Sequence, residues 1–146
     1  MIHRSPIFLL AASFLFASAS VHAKSEQCHL SSKNEIAALF ERWNNSLQTG
    51  DPAKVAANYA QDSILLPTVS NQPRLTVAEK EDYFKKFLQK KPSGTIDSRT
   101  IQVGCNDAFD AGLYTFRFDD GTEVKARYTF TYKWTCLLYT SDAADD

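Results

Sequence analysis

Arginine side chains supply the first candidate chemistry in this sequence, because a guanidinium binds a carboxylate or phosphate through two parallel hydrogen bonds. Arg99 lies in the stretch TIDSRTIQV, in phase with Ile101 and Val103. A strand alternates its side chains with a period of two, so this spacing places a charge on an otherwise apolar face. The pattern indicates either a polar cavity or the edge of a sheet.

Further polar candidates lie in the loop VSNQPR and in a later strand pattern. Asn71 and Arg74 belong to that loop, and loops at the mouth of a curved sheet line ligand pockets in many proteins. Asn and Pro are also ordinary turn residues, so both interpretations stay open. Tyr114 is in phase with Phe116 and Phe118, and it would either present its hydroxyl to a cavity or pack in the core.

The residue types give little support to a metal site or to a catalytic triad. No Cys or His pair has the spacing of metal ligands, and no Ser-His-Asp set is evident. Asp62 and Asp110 are the acids nearest to apolar strand patterns. We interpret Asp62 as a helix cap or turn residue, and Asp110, shortly before Gly112, as turn or bulge geometry. The sequence therefore assigns no catalytic residue, predicts neither metal nor cofactor, and does not favour an enzyme.

Three helices are predicted ahead of the main strand patterns. Ser32 with Glu35, and Thr76 with Glu79, have the spacing of capping boxes that open a helix. Asp51, followed at once by proline, opens a short helix between them.

Glycine and proline predict where these helices end. Gly50 ends the first helix, and Pro92 with Gly94 ends the third. The periodicity of the third helix predicts a set of inward-facing residues, namely Val77, Tyr83, Phe84, Phe87 and Leu88.

The strands come late in the chain. The predicted strands are Ile64–Leu66, Thr95–Gly104, Ala108–Phe118 and Glu123–Trp134. Gly121 supplies the left-handed position of a hairpin turn between the last two. Helices followed by antiparallel strands predict an α+β fold. We expect a cone-shaped, strongly curved sheet with the three helices on its concave face and a pocket at the open end.

Bulk composition bounds the partners and the domain count. The chain has 146 residues, which suits one domain, and a formal net charge of -1. This balance gives no electrostatic case for binding nucleic acid or an anionic membrane surface.

The first 23 residues have the pattern of a secretory signal peptide. Arg4 provides the basic start, an apolar run covers residues 7–17, and small residues lead to Ala23. The apolar run is too short to span a bilayer comfortably. We therefore predict an exported, periplasmic or extracellular protein that has no membrane attachment once the peptide is cleaved.

The C-terminal stretch CLLYTSDAADD, residues 136–146, resembles sequencing-adapter DNA translated in frame. We therefore expect a natural domain over residues 24–135, truncated near Trp134 or Thr135. Setting Cys136 aside leaves Cys28 and Cys105. In an oxidising compartment these two predict a disulfide, with free thiols as the alternative.

Residues 34–134 resemble the association-domain family of calcium/calmodulin-dependent protein kinase II, in its small exported bacterial branch. The strings GDPAKVAANYAQDSILLPTVSNQPR, DYFKKFLQKKPSGTI, DAGLYTFRF and ARYTFTYKW carry the resemblance. The family belongs to the nuclear transport factor 2-like superfamily, with SnoaL-like cyclases and ketosteroid isomerases. The family pattern continues with one more strand, so we expect part of the sheet and of the pocket to be missing.

The resemblance also implies partners and a site residue. Association domains assemble as dimers or larger rings, so it implies self-association, and no kinase motif is evident in the chain. Arg127 matches a pocket arginine of the family, although its alternation with Lys125 and Thr129 equally allows a surface position. We expect a binding module for a small anionic or polar ligand or an oligomerisation domain. The alternative is a cyclase, isomerase or oxidoreductase on the same fold.

Overall fold

The computed structural model describes residues 27–67 and 70–135. The predicted signal peptide and the predicted adapter-like tail lie outside these residues. The elements in chain order are α1 (Lys33–Leu47), α2 (Pro52–Ala56), α3 (Val77–Phe87), a short 3-10 turn (Leu88–Lys90), β1 (Ser93–Val103), β2 (Asp107–Arg117) and β3 (Glu123–Lys133).

The helices begin where local chemistry predicts. Both capping boxes form, because Ser32 and Thr76 each accept the backbone N–H of the glutamate three residues later while that glutamate accepts from the cap. Asp51 caps α2, and Gly50 adopts a φ of 69° after α1. The stop after α3 is different from the prediction, since Lys91 takes the left-handed conformation with a φ of 46°.

The sheet contains three antiparallel strands in the order β1-β2-β3 within the described residues. Gly121 has a φ of 80° in the turn between β2 and β3, as a hairpin requires. The sheet does not close on itself, and α1 packs across β1 and β2. The observed architecture confirms the predicted α+β class.

The core lies between the helices and one face of the sheet. One buried cluster joins α1, α2, α3 and β2, and its members are Leu47, Val55, Phe84, Leu88 and Phe116. A second, smaller cluster joins α1 to β1 and β2 near the turn between them, through Ile36, Ile101 and Ala108. Gly94 packs closely against core aromatic rings and does not end a helix. A Cβ added at this position would lie 3.1 Å from Phe116 and 3.2 Å from Phe40.

The predicted strand Ile64–Leu66 is wrong. Only Leu65 pairs, in an isolated antiparallel bridge with Arg74, and Ile64 and Leu66 are 62% and 73% exposed. A run of apolar residues forms a strand only where neighbouring backbone is available to pair with it. Among the described residues, Arg74 is the one that pairs with this run.

The inward face of α3 also differs from the prediction at its first turn. Val77 is 43% exposed, whereas Lys80, on the same side one turn later, is fully buried. The Lys80 ammonium donates to the carbonyl oxygens of Ser63 at 2.7 Å and Leu75 at 3.2 Å. A buried ammonium needs such acceptors, and here they tie α3 to both ends of the preceding loop.

The predicted disulfide is present. Cys28 and Cys105 are bonded, with Cα atoms 5.1 Å apart and a separation of 77 residues. The bond connects the segment before α1 with the turn between β1 and β2.

Candidate functional site

Arg99 reaches the concave face of the sheet because β1 contains an irregularity. The pairing register between β1 and β2 shifts between Ile96 and Ser98, after which Arg99 lies opposite Gly112. A side chain at position 112 would overlap the Ser98 carbonyl oxygen and come within 2.8 Å of its carbon. Gly112 therefore does mark a bulge, but the bulge lies on the neighbouring strand.

Asp110 is the partner of Arg99, and its interpretation as a turn residue was wrong. It lies in the regular part of β2, opposite Ile101, and it is fully buried. Its Oδ2 lies 3.0 Å from the Arg99 Nη2, and its Oδ1 accepts a hydrogen bond of 2.8 Å from the Tyr128 hydroxyl. Arg99 and Tyr128 both lie opposite Gly112, two residues along β2 from Asp110. The side chains of Arg99, Asp110 and Tyr128 therefore lie on one face of the sheet.

Tyr128 and Phe40 complete the immediate surroundings of Arg99. The Arg99 Nε donates a long hydrogen bond of 3.5 Å to the Tyr128 hydroxyl oxygen. The Phe40 ring of α1 lies 5.7 Å from the guanidinium carbon, at a distance where a cation–π attraction operates. The Arg99 side chain keeps 21% of its surface exposed, so solvent or a ligand can reach this cation.

The electrostatics of this cluster keep the arginine charged and the phenols neutral. Desolvation acts to lower the pKa of Arg99, but the hydrogen bond to Tyr128 and the charge of Asp110 raise it overall. Burial is the largest cause that raises the pKa of Tyr128, and burial followed by the charge of Asp110 raises the pKa of Tyr132. Both tyrosines therefore carry a hydroxyl proton near neutral pH.

The contacts of Arg99 and Asp110 leave unused hydrogen-bonding capacity. The geometry between Arg99 Nη2 and Asp110 Oδ2 is that of an ion pair, and within the described residues neither atom makes a hydrogen bond. A guanidinium has five N–H donors. Nη2 is buried against Asp110, so a ligand would meet the N–H groups on the exposed part of the Arg99 side chain.

A second cation lies beside an aromatic wall. The Arg74 guanidinium carbon is 5.9 Å from the ring centre of Tyr83, and its buried Nε has no hydrogen-bond partner in the described part of the chain. Burial is the main cause that raises the pKa of Tyr83, followed by its interaction with Tyr114, while Arg74 opposes the rise. The rings of Tyr114 and Tyr128 are 5.3 Å apart.

These residues form one polar and aromatic surface on the concave face. We call it the concave-face site, and it consists of Arg74, Tyr83, Arg99, Asp110, Tyr114 and Tyr128. Of the predicted site residues, the structure brings Arg99, Arg74 and Tyr114 to this surface. The aromatic wall gives an apolar body of a ligand a surface on which to stack.

Two predicted site residues lie elsewhere. Arg127 pairs across the strands with Leu113, and both side chains are exposed. Since Arg127 and Tyr128 are consecutive in β3, they point to opposite faces, so Arg127 does not share a site with Arg99. Asn71 is exposed in the loop after α2 and is not among the residues of the concave-face site.

Asp110, Tyr128 and Tyr83 are the site residues that the sequence interpretation missed. A signal was present for Asp110, because it is in phase with Tyr114 and Phe116 along β2. The same alternation that pointed to Arg99 therefore pointed to its partner. The nearby glycine led to the turn interpretation instead.

Residues 27–67 and 70–135 have neither a metal-binding cluster nor a membrane-spanning helix. There, no group of three His, Cys, Asp or Glu side chains has an arrangement that would hold a metal ion. Within the same ranges no helix has the length and apolar character to cross a membrane.

Comparison with known proteins identifies the family. The sequence model of the calcium/calmodulin-dependent protein kinase II association domain matches residues 32–137. A solved structure described as such a domain, from Xanthomonas campestris, shares 48% identity, with a TM-score of 0.67 over 70% of this chain and 77% of that one. No protein with a curated description matches significantly.

More distant solved structures share the fold alone. An NTF2-like protein of unknown function from Pseudomonas putida KT2440 has 16% identity and a TM-score of 0.63, over 74% of this chain and 81% of that one. The epoxide hydrolase/cyclase-like enzyme SalBIII, of salinomycin pyran-ring formation, has 11% identity and a TM-score of 0.54, over 71% and 83%. With an NTF2-like fold and a family match over most of its length, the chain belongs to the calcium/calmodulin-dependent protein kinase II association-domain family.

Proposed function

We propose that this protein is an exported, self-associating module that binds a small carboxylate or similar monoanion at the concave-face site. The observation that carries the proposal is Arg99, a partly exposed guanidinium held in one orientation by a fully buried carboxylate. A pre-oriented arginine in partly apolar surroundings binds a carboxylate with two hydrogen bonds at little entropic cost.

The charge and shape of the surroundings support the same ligand class. Asp110 offsets the charge of Arg99, and Arg74 adds a further positive charge near Tyr83. A monoanion would therefore bring these three groups close to neutrality. The half-buried rings of Tyr83 and Tyr114 favour a ligand with an apolar or planar body.

Export and self-association are parts of the proposal that rest on other grounds. The signal-peptide pattern of residues 1–23 and the Cys28–Cys105 disulfide both agree with an oxidising compartment. Association domains are named for assembly, and membership in that family supports a homodimer or a larger ring. The proposal includes no kinase activity and neither nucleic acid nor membrane as a partner.

A binding experiment with a matched control variant tests the ligand proposal. Isothermal titration would compare benzoate with benzamide, which has the same ring but no charge. Arg99→Lys keeps the charge but loses the planar fork, so we expect benzoate affinity to fall at least ~10-fold. Arg127→Ala removes an arginine from the opposite face and should leave the affinity unchanged.

Two results would overturn the ligand proposal. One is equal binding of benzoate and benzamide by the wild type, or no binding of either at millimolar concentrations. The other is loss of affinity in Arg127→Ala with none in Arg99→Lys. Light scattering that shows a monomer at micromolar concentration would separately remove self-association.

A second candidate function is a small enzyme, favoured by the hydrogen bond between the Tyr128 hydroxyl and the buried Asp110 carboxylate. Carboxylates in such surroundings serve as acids or bases in other enzymes. If this function holds, Asp110→Asn should abolish turnover of a cyclisable or isomerisable substrate while benzoate still binds. Turnover that survives in Asp110→Asn would exclude Asp110 as the acid or base.

A further inference from the structure

The segment that precedes α1 is fastened at three points, two on the turn between β1 and β2 and one just after β3. Cys28 is bonded to Cys105. The His29 ring stacks on Trp134 at 3.5 Å with an interplanar angle of 12°. Asn106 holds the same segment by hydrogen bonds. Together, residues 27–29, Cys105, Asn106 and Trp134 form what we call the clasp.

Asn106 is the hub of the clasp. It has a φ of 66°, a left-handed conformation that Asn tolerates better than most residues. Its side-chain oxygen accepts from the His29 N–H at 2.7 Å, its backbone N–H donates to the His29 carbonyl at 3.3 Å, and its own carbonyl accepts from the Trp134 N–H at 2.8 Å. One residue of the β1–β2 turn thus binds the segment before α1 and the end of β3.

The clasp lies outside both hydrophobic clusters. Residues 27–30 are all exposed, Cys105 is exposed, and Trp134 is 38% exposed. Few buried apolar contacts and exposed hydrogen bonds are the marks of a segment with a low free energy of local opening. The covalent bond is therefore the element that keeps the weak contacts of His29 and Asn106 together.

We propose that the Cys28–Cys105 disulfide is a redox-responsive latch for the end of β3. A thiolate of a dithiol reductant attacks one cysteine sulfur, which breaks the Cys28–Cys105 bond, releases the other cysteine as a thiolate and forms a mixed disulfide. The second thiol of the reductant then displaces that sulfur, so the protein gains two thiols and the reductant becomes a disulfide. Both cysteines are exposed, so this attack is sterically open.

Reduction should loosen the clasp without unfolding the domain. The segment before α1 then loses its tether, the His29–Trp134 stack opens, and the Trp134 N–H loses protection as Asn106 moves. The two hydrophobic clusters contain neither cysteine, so the packing of α1 on the sheet stays. The latch does not depend on ligand binding at the concave-face site, so the failure of either proposal leaves the other unaffected.

Amide hydrogen exchange on the full chain tests the latch, in a Cys136→Ser background that prevents exchange with a third thiol. We compare the oxidised form, the form reduced with dithiothreitol, and Cys28→Ser/Cys105→Ser. We expect exchange at the Trp134 and Asn106 amides to rise at least ~10-fold in the reduced and double-variant proteins. The Phe40 amide of α1 should change less than ~2-fold, and reoxidation should restore protection.

Two other outcomes overturn the proposal. Unchanged exchange at Trp134 after reduction would mean that the hydrogen bonds of Asn106 hold the clasp without the disulfide. A matching rise at Phe40 would mean that the bond stabilises the whole domain and is no local latch. His29→Ala keeps the disulfide and removes the stack, so in that variant we expect a smaller rise at Trp134 that reduction then increases further.

Discussion

The Arg99–Asp110 pair gives the sharpest test of the structure, because its two members differ in exposure. Asp110 is fully buried, while the Arg99 side chain is 21% exposed. Arg99→Met leaves a buried carboxylate with the Tyr128 hydroxyl as its remaining partner. Breaking a buried pair in this way costs about 3–5 kcal/mol of the free energy of unfolding.

The reverse substitution should cost less. Asp110→Asn leaves a guanidinium that can turn its exposed edge toward water, so the expected loss is about 1–3 kcal/mol. The double variant Arg99→Met/Asp110→Asn carries neither charge of this pair, so its loss should be smaller than the sum of the single losses by about 0.5–3 kcal/mol. Arg99→Lys keeps the charge and should lie between wild type and Arg99→Met.

Urea denaturation at pH 7 measures these differences. With a slope of about 1–3 kcal/mol per molar urea, a loss of about 3 kcal/mol lowers the midpoint by about 1 M or more. The reasoning fails if Asp110→Asn is as damaging as Arg99→Met, or if the double variant loses as much as the sum of the two single variants.

Two further predictions concern local geometry. Gly112→Ala should lose about 1–3 kcal/mol or more in the same assay, since a Cβ there overlaps the Ser98 carbonyl; a neutral result would contradict the close approach of β1 and β2. Backbone N–H groups of Thr76 and Leu75 lower the pKa of Glu79 below its usual 4.5. The stability that the ionised Glu79 contributes is present above pH 4.5 and is lost as the pH falls through the lowered pKa. The stability advantage of wild type over Glu79→Gln should therefore disappear in acid. An advantage that persists there would count against the capping box.

The parts of the fold that depend on near neighbours could be predicted from the sequence. Capping boxes, the Pro after Asp51 and the hairpin Gly121 each act within four residues. Their chemistry is complete in a short window. The disulfide was also predictable, but from compartment and cysteine number rather than from any geometry in the sequence.

Features that depend on distant partners could not be predicted in the same way. Ile64–Leu66 has the composition of a strand, but pairing requires backbone from elsewhere in the chain. A lysine such as Lys80 is ordinarily expected at the surface. Its buried acceptors, the carbonyls of Ser63 and Leu75, belong to a loop that precedes the helix, so the helix pattern does not reveal them. Neither pattern contains the position of its partner.

The two arginines show how far alternation goes in locating a site. Alternation put Arg99 with apolar residues and Arg127 with polar ones, and the structure places them on opposite faces. The family resemblance favoured Arg127 for the pocket, and which of the two arginines binds a ligand stays a prediction. Local phase does determine which face each arginine occupies, because the face of a strand is fixed by its own period of two.

The pairing of Arg99 with a buried carboxylate also determines how the concave-face site can select ligands. Asp110 orients the guanidinium and at the same time cancels much of its charge at a distance. An anion would therefore gain little from long-range attraction to Arg99 and much from short, directional hydrogen bonds to its remaining N–H groups. Selection then depends on a planar, two-oxygen group that fits the fork and on a body that packs against the half-buried rings of Tyr83 and Tyr114. Spherical anions satisfy neither condition, so charge alone would not make a good ligand for this site.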